Sequence, residues 1–525
     1  MRRRNSWRMA AALVVLLLVP AALALAGAGK ESTSAQAPVT LKWAFFTGGP
    51  AKDDSLVYDE FNKRLAKYMP GVTVEFNNIA YAQYKEKYTL MMAAKEDLDL
   101  VWAGYLFDID EEIAKGAYMP LDDLLTKYAP KLYASKTPDN WARIMTGGKI
   151  MGYPHGNPST ANTMNDIRLI ASVADKYWPN VKQDMAKIAE KRGMTQEDYD
   201  ILAAFLERAK QGGDIMKGWD VALGKWAFVD QIMDWIKTPY GLHMLKGDLK
   251  VVNEYETEDY KLFCDNMSKW FQKGYIIKDI MSIENKRAYE EKPDGNIMFS
   301  HGWQYVETPQ QQEQYSKGLG FKVYYYPLHN DWFIGNARAN VVTAIPTQSK
   351  NSVKAIQFLE LLNTQESGEL ATIMAYGIEG KHWNKVADAS GKTPMRIKTL
   401  QYDSSQSDPS TSVDYATYFW SVVDNPMTGA NQGVDLSAAE VGASQRARAR
   451  VTPIMGFLPD TKSVATEWAQ VTAVITEYQY QLEFGTIADN TKVYNDFLAK
   501  LKAAGNDKII ATIQAQLDAF MKTKK

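Results

Sequence analysis

The chain has 525 residues, 46% hydrophobic and 23% charged, with 60 Lys+Arg against 62 Asp+Glu for a net charge of -2. Those fractions belong to a soluble globular protein of several domains, and they exclude a disordered chain, a collagen-like fibre and a polytopic membrane protein. A near-neutral chain also lacks the global field that holds nucleic acid or an anionic bilayer.

Arg2, Arg3, Arg4 and Arg8 precede an almost wholly apolar run from Met9 to Ala26. Ala24-Leu25-Ala26 and Ala26-Gly27-Ala28 offer small-x-small cleavage sites. The pattern predicts a signal peptide over residues 1–28 and a polar linker over 29–38. The single cysteine is Cys264, far from the apolar run. A thioether lipid anchor, an internal disulfide and a multi-cysteine metal site are therefore excluded. The expected product is a free exported protein that is not lipid-anchored, with an uncleaved membrane anchor as the competing reading.

Val39 to Phe46 reads as a strand, broken by Thr47-Gly48-Gly49-Pro50. Val57, Phe61, Leu65 and Met69 recur every four residues, which predicts a helix with Asp53 or Asp54 as its cap and Pro70-Gly71 as its stop. Val72, Val74 and Phe76 alternate as a strand, residues 81–94 return to helix, and Leu98 to Trp102 is a short buried strand. Residues 113–128 are helical with breaks at Gly116 and Pro120. Strand and helix in alternation mean βαβ units and a largely parallel sheet.

Thr146 to Pro154, with two glycines before a short apolar strand, reads as a crossing between domains. Residues 163–235 are helix-rich and aromatic, and Gly295 to Ser300 is a short strand. Phe321 to Pro327 reads as a second crossing, and Ser352 to Leu362 as an amphipathic helix. From Val464 onward the pattern is helical, interrupted at Gly485. Cys264 is expected in a helix over 260–271 as a small buried hydrophobe.

The five histidines lie more than four residues from one another. No H-E-x-x-H face, no G-x-G-x-x-G after a strand, no P-loop and no G-x-S-x-G elbow is present. Zinc, nucleotide and serine-hydrolase chemistry has no local motif, and no cofactor or metal is expected. A pair of glycosidase carboxylates, which meets in space rather than in sequence, stays open.

The unusual feature is aromatic: 14 Trp, 29 Tyr and 18 Phe. Rings beside polar residues gather where strands are predicted to end. Phe46 follows the first strand, and Trp102 and Tyr105 the third. His155 and Asn157 follow the first crossing; Trp219, Asp220 and Trp226 flank a glycine; Trp303 and Gln304 follow the strand at 295–300. Open α/β sheets bind ligands beyond the carboxyl ends of their strands. A sugar ring has an apolar C–H face that stacks on an aromatic plate, and hydroxyls that need Asp, Asn, Gln or His. These residues are the candidate ligand contacts. The competing role for any of these rings is core, which is expected of Trp43, alternating with Phe45 on a buried strand.

Several segments in order carry a family resemblance: Leu41-Lys42-Trp43, Lys115-Gly116-Ala117-Tyr118-Met119-Pro120-Leu121-Asp122-Asp123-Leu124-Leu125, Gly148 to Pro154, Tyr376 to Trp383, and the helical tail from Gly456. The chain resembles the extracellular solute-binding proteins of bacterial ABC importers, in the carbohydrate-binding class of maltose-binding protein. It is most similar to the long lipoprotein-type subgroup with an added C-terminal region. The resemblance implies an α/β periplasmic-binding-protein fold, two lobes joined by hinge crossings around a ligand cleft. Lobe one is expected to hold 39–150 and 330–375, and lobe two 151–329 and 376–525. The implied function is capture of a sugar or oligosaccharide by lobe closure and delivery to the permease subunits of an ABC importer. No enzymatic activity, no nucleic-acid partner and a monomer are expected. A peptide or other polar solute on the same scaffold, or a secreted carbohydrate-active enzyme, are the alternatives. By position Trp303 resembles the cleft tryptophan of maltose-type binders. The helix around Trp468 resembles the segment that carries another stacking ring, with Glu467 in place of an aromatic neighbour.

Overall fold

The computed structural model describes residues 37–156, 166–214, 218–219, 224–282, 296–299, 312–313, 316–317, 319–336, 338–387, 396–400, 414–415, 417–424 and 444–524. Strand β1 (Val39–Thr47) pairs in parallel with β2 (Val72–Ala80) on one side and β3 (Leu100–Gly104) on the other. The helices Asp54–Leu65 and Tyr81–Ala93 form the crossovers, as the alternation predicts. Both faces of β1 are covered, so Leu41, Trp43, Ala44, Phe45 and Phe46 are all buried, the pattern of a parallel sheet between helices. The strand Val341–Ala344 returns antiparallel to β3, and Tyr153–Pro154 pairs with it at the edge.

Val57, Phe61 and Leu65 form the buried stripe of the first helix, which ends at Leu65 rather than at Met69. Asp53 precedes it without a side-chain capping bond. Its carboxylate instead pairs with Lys381 at 2.7 Å and accepts from His382 Nε2 at 3.1 Å.

A second sheet is antiparallel at its centre. Strand β4 (Asp166–Ile170) pairs with β5 (Asn296–Phe299) and with β6 (Val323–Pro327). The helix Gln196–Gln211 is closed at its start by a Thr195–Asp198 capping box. Cys264 lies fully buried in the helix Glu258–Gln272. The helices Ala465–Glu483, Asn490–Ala503 and Asn506–Thr523 pack on this second core through Val471, Leu482, Phe497, Leu501, Ile509, Ile513 and Leu517.

The buried apolar residues thus form two large cores, one around β1 to β3 and one around β4 to β6. These are the two lobes, and among the described residues the chain changes from one core to the other three times. The first passage follows Pro154, the second lies between Leu328 and Ala339, and the third between Val423 and Ile454. The second and third run side by side, with Phe333–Ile334 paired in parallel with Arg450–Val451. Buried Asp234 of the second lobe accepts from Thr452 Oγ1 at 2.5 Å and from Asn336 N at 3.3 Å, so one carboxyl ties both passages.

These positions differ from the sequence expectation in two places. Residues 321–327 are not a crossing but a sheet strand of the second lobe. The chain also does not leave the first lobe at 376. Gly377, at φ +79°, turns it back, and a Cβ there would stand 2.3 Å from His382 Nδ1. His382 then reaches Asp53, Tyr415 Oη donates to Met374 O at 2.8 Å, and Tyr415, Val422 and Val423 join the first core. Both shifts have one cause: strand pairing and burial partners lie far off in sequence.

The helix Ala465–Glu483 ends beside a buried polar cluster of the second core. Lys225 Nζ lies 2.9 Å from Asp230 and 2.7 Å from Glu254. Glu483, at the end of its helix, accepts from Tyr260 Oη at 3.4 Å. Burial pushes Glu254 up to about 8 and Glu483 up to about 7. A carboxyl whose folded value is raised stabilises the fold fully below its unfolded value and loses that contribution as pH rises through the folded one. For Glu483 the window runs from 4.5 to about 7. Glu483→Gln, which cannot ionise, should therefore gain about 3 kcal/mol on the wild type between acid and neutral pH. Denaturation midpoints measured across that range check this, and parallel curves for the two proteins would refute it.

Candidate functional site

Phe46 stands at the carboxyl end of β1 and is the hub of an aromatic cluster. Its ring centre lies 4.6 Å from Trp102, 5.3 Å from Tyr81, 5.4 Å from Tyr84, 5.7 Å from Tyr418, 6.3 Å from Tyr105 and 6.5 Å from Trp420. Most of these are steep, edge-to-face contacts, the arrangement that the ring quadrupoles favour. Tyr81 opens the helix after β2, Trp102 lies in β3, and Tyr105 follows it.

Phe46 and Trp102, read from the sequence as ligand contacts, are buried. Flanking strands and helices cover both faces of the sheet, so these two rings form the floor of the cluster and present no face to solvent. Tyr105 is open, at 42% exposure, and Trp420 matches it at 41%. Their planes lie within 23° of each other. Sequence reasoning missed Trp420, which stands in a segment without periodicity. The signal there was the run Tyr418-Phe419-Trp420.

His155, expected as a ligand contact, supports the segment that carries Trp420 through Asp424. Its side chain is fully buried, with Nε2 2.7 Å from Thr343 Oγ1 and Nδ1 3.6 Å from Asp424. Asp424 further accepts from Lys136 Nζ at 2.6 Å and from Gly156 N at 2.7 Å, while its own N–H donates to Asn363 at 2.8 Å. Burial alone would raise this carboxyl, but His155 and Lys136 hold it well below the usual carboxylate range. Asp424 therefore joins the start of the first passage, at Gly156, to the segment that carries Trp420.

Asn157, Asp220, Trp303 and Gln304 lie outside the described residues. The backbone of Trp219 forms a short strand beside Met298, and Trp226 lies in the helix Gly224–Phe228; the side chains of both lie outside what is described. Trp468 packs half-buried on Tyr240, ring centres 5.1 Å apart, with Lys237 Nζ 5.5 Å above its own ring. Lys237 also pairs with Asp108 at 3.0 Å, a contact from the second lobe to the helix after β3. Among the described residues no group of three His, Cys, Asp or Glu side chains is placed to hold a metal ion.

Over its full length the chain is 24% identical to a carbohydrate ABC transporter substrate-binding protein of Streptococcus pneumoniae serotype 4 (strain ATCC BAA-334 / TIGR4), covering 100% of both proteins. The crystal structure of the N-glycan transport solute binding protein NgtS from Streptococcus pneumoniae matches with a TM-score of 0.74 at 22% identity, over 93% of this chain and 100% of that one. The chain has the solute-binding-protein fold. An HMO binding ABC-transporter associated solute binding protein from Bifidobacterium longum infantis ATCC 15697 matches the same fold with a TM-score of 0.62 at 12% identity, over 93% and 100% of the two chains. Residues 453–522, which hold the last three helices, match a family described as a domain of unknown function (DUF3502). In a solute-binding fold of two lobes the ligand lies between them. The exposed Tyr105 and Trp420 rings stand at the strand ends of the first lobe, beside the start of the third passage.

Proposed function

We propose that this protein is the substrate-binding component of an ABC importer. It captures a sugar or oligosaccharide by lobe closure and delivers it to a membrane permease. Lobe one comprises about residues 39–154 and 339–424, lobe two about 166–328 and 444–524. The protein is exported by a cleaved signal peptide over 1–28, acts as a monomer and turns nothing over. Among the described residues, no helix is long and apolar enough to cross a membrane.

The observation that carries the reading is the pair of exposed, near-parallel rings of Tyr105 and Trp420 on a buried aromatic floor. Large open rings are costly to leave in water, and they suit a ligand with apolar faces and a polar rim. Support comes from the relatives: NgtS has been solved in complex with Man5GlcNAc and with Man1GlcNAc. The test is calorimetric titration against a glycan panel headed by Man5GlcNAc, with peptides as controls. Trp420→Ala should weaken glycan binding about thirtyfold, as truncated aromatic anchors do. Its melting temperature should stay close to that of the wild type, because the ring is largely outside the core. Unchanged affinity would remove Trp420 from the site, binding of peptides alone would overturn the carbohydrate reading, and released products would make the protein an enzyme.

A further inference from the structure

We propose that Lys237 and Asp108 form a latch between the lobes, and that the C-terminal helical region holds this latch in place through Trp468. The inference rests on the lobe-closure reading above and adds what sets the balance between open and closed forms. Lys237 ends the strand Met233–Lys237, which is rooted in the second core by Ile236 and by pairing with the strand Tyr240–His243. Asp108 precedes the helix Ile109–Ala114, which is rooted in the first core by Ile109 and Ile113. Lys237 Nζ donates to Asp108 Oδ2 at 3.0 Å. The other carboxylate oxygen, Oδ1, accepts from Asp110 N at 3.0 Å and from Glu111 N at 3.3 Å. The helix start therefore fixes the direction of the acceptor.

The cation is held as well. Lys237 Nζ stands 5.5 Å from the centre of the Trp468 ring, within the range at which an indole face attracts an ammonium. Trp468 lies in the first turn of the helix Ala465–Glu483 and packs on Tyr240, ring centres 5.1 Å apart. It belongs to residues 453–522, the part that matches the family of unknown function. A lysine stem is long and flexible, and the indole face limits where its charge can go. Asp108 lies three residues after the exposed Tyr105, so the pair joins lobe to lobe beside that ring. A motion that carries the strand ends of the first lobe away from the second must break it. The two side chains are 29% and 41% exposed, so the pair gives a shallow, salt-sensitive bias toward the closed form.

The experiment combines small-angle scattering of the ligand-free protein with calorimetric titration of a glycan panel headed by Man5GlcNAc, each at about 0.05 M and about 1 M salt. Lys237→Met keeps the stem on Trp468 and removes the charge. It should expand the ligand-free protein and weaken glycan binding about fivefold at low salt. High salt should bring the wild type toward the variant and leave the variant unchanged. Asp108→Asn keeps the oxygen that accepts from the helix start and should match Lys237→Met. The double variant should match either single variant, and Lys237→Arg should restore the wild-type behaviour. Trp468→Leu keeps apolar bulk and should show a smaller loss that salt again removes. Thermal melts of each variant separate a folding defect from a lost contact. Unchanged scattering and affinity in Lys237→Met overturn the latch and leave the carbohydrate reading intact, as do additive losses in the double variant. A loss in Trp468→Leu that salt does not change overturns the part given to the C-terminal region. Silence from every glycan overturns the carbohydrate reading, and the salt-dependent expansion then decides the latch by itself.

Discussion

Asp424→Ala should lower the unfolding free energy by about 3–5 kcal/mol, because it takes the countercharge from the buried Lys136 ammonium. Lys136 keeps only 5% side-chain exposure and His155 none. Without Asp424 the ammonium keeps the carbonyl of Gly156 at 2.9 Å and the face of the Tyr153 ring at 4.9 Å but no countercharge, and the N–H of Gly156 loses its acceptor. Breaking such a pair costs far more than the pair is worth against an apolar replacement, since the desolvated charge stays behind. Asp424→Asn keeps an acceptor for Gly156 and should fall between the two proteins. The pH dependence has a definite sign. His155 and Lys136 depress this carboxyl in the fold, so its contribution is present above the unfolded value of 3.8 and is lost as pH falls below it. The gap between wild type and Asp424→Asn should therefore close in acid. Urea midpoints at neutral and acid pH measure both effects, and a gap that stays constant would show that the charge is not what matters. Glycan affinity should fall as well, since Trp420 lies four residues from this clamp.

Gly485→Ala should cost about 2–5 kcal/mol through two separate causes. Gly485 follows the helix Ala465–Glu483 with φ +67°, where an L side chain is strained. Its Cβ would also stand 2.2 Å from Met267 O and 2.3 Å from Met267 C, the backbone of the helix Glu258–Gln272. Backbone of a packed helix cannot step aside as a flexible side chain does. Gly116→Ala separates the two causes. It has φ +75° but nothing within 4 Å of the new Cβ, so it should show the backbone strain alone, about 1–2 kcal/mol. Equal midpoints for the two variants would mean that the helices move apart freely and that the close approach carries no stability.

Much of this fold was legible in the sequence because its signals are local. The period of four at Val57, Phe61 and Leu65, the alternation at Val72 and Val74, and the glycine at 485 each act within a turn or two of chain. They mark the β1 to β3 unit and the tail of helices correctly. The aromatic cluster was half legible. Rings were expected together at the ends of β1 and β3, and they cluster there. Phe46 and Trp102, however, form its floor, while Tyr105 and the unforeseen Trp420 form its surface. The difference between floor and surface depends on which helices cover the sheet, and a ring's sequence neighbours do not specify that.

His155 and Asp424 show the same limit in polar form. They are 268 or more positions apart in the sequence, as are Gly156 and Asp424, and no motif spacing joins them. Composition and periodicity by themselves determined an α/β chain with paired parallel strands and a helical end, because helix and strand preferences are settled by residues within a few positions. The tertiary structure alone decided where the chain passes between the lobes, which rings meet solvent and which carboxylate clamps the Trp420 segment. Those outcomes depend on burial and desolvation among residues that only folding brings together, and the cost of an unpaired buried charge exists only once water has been excluded.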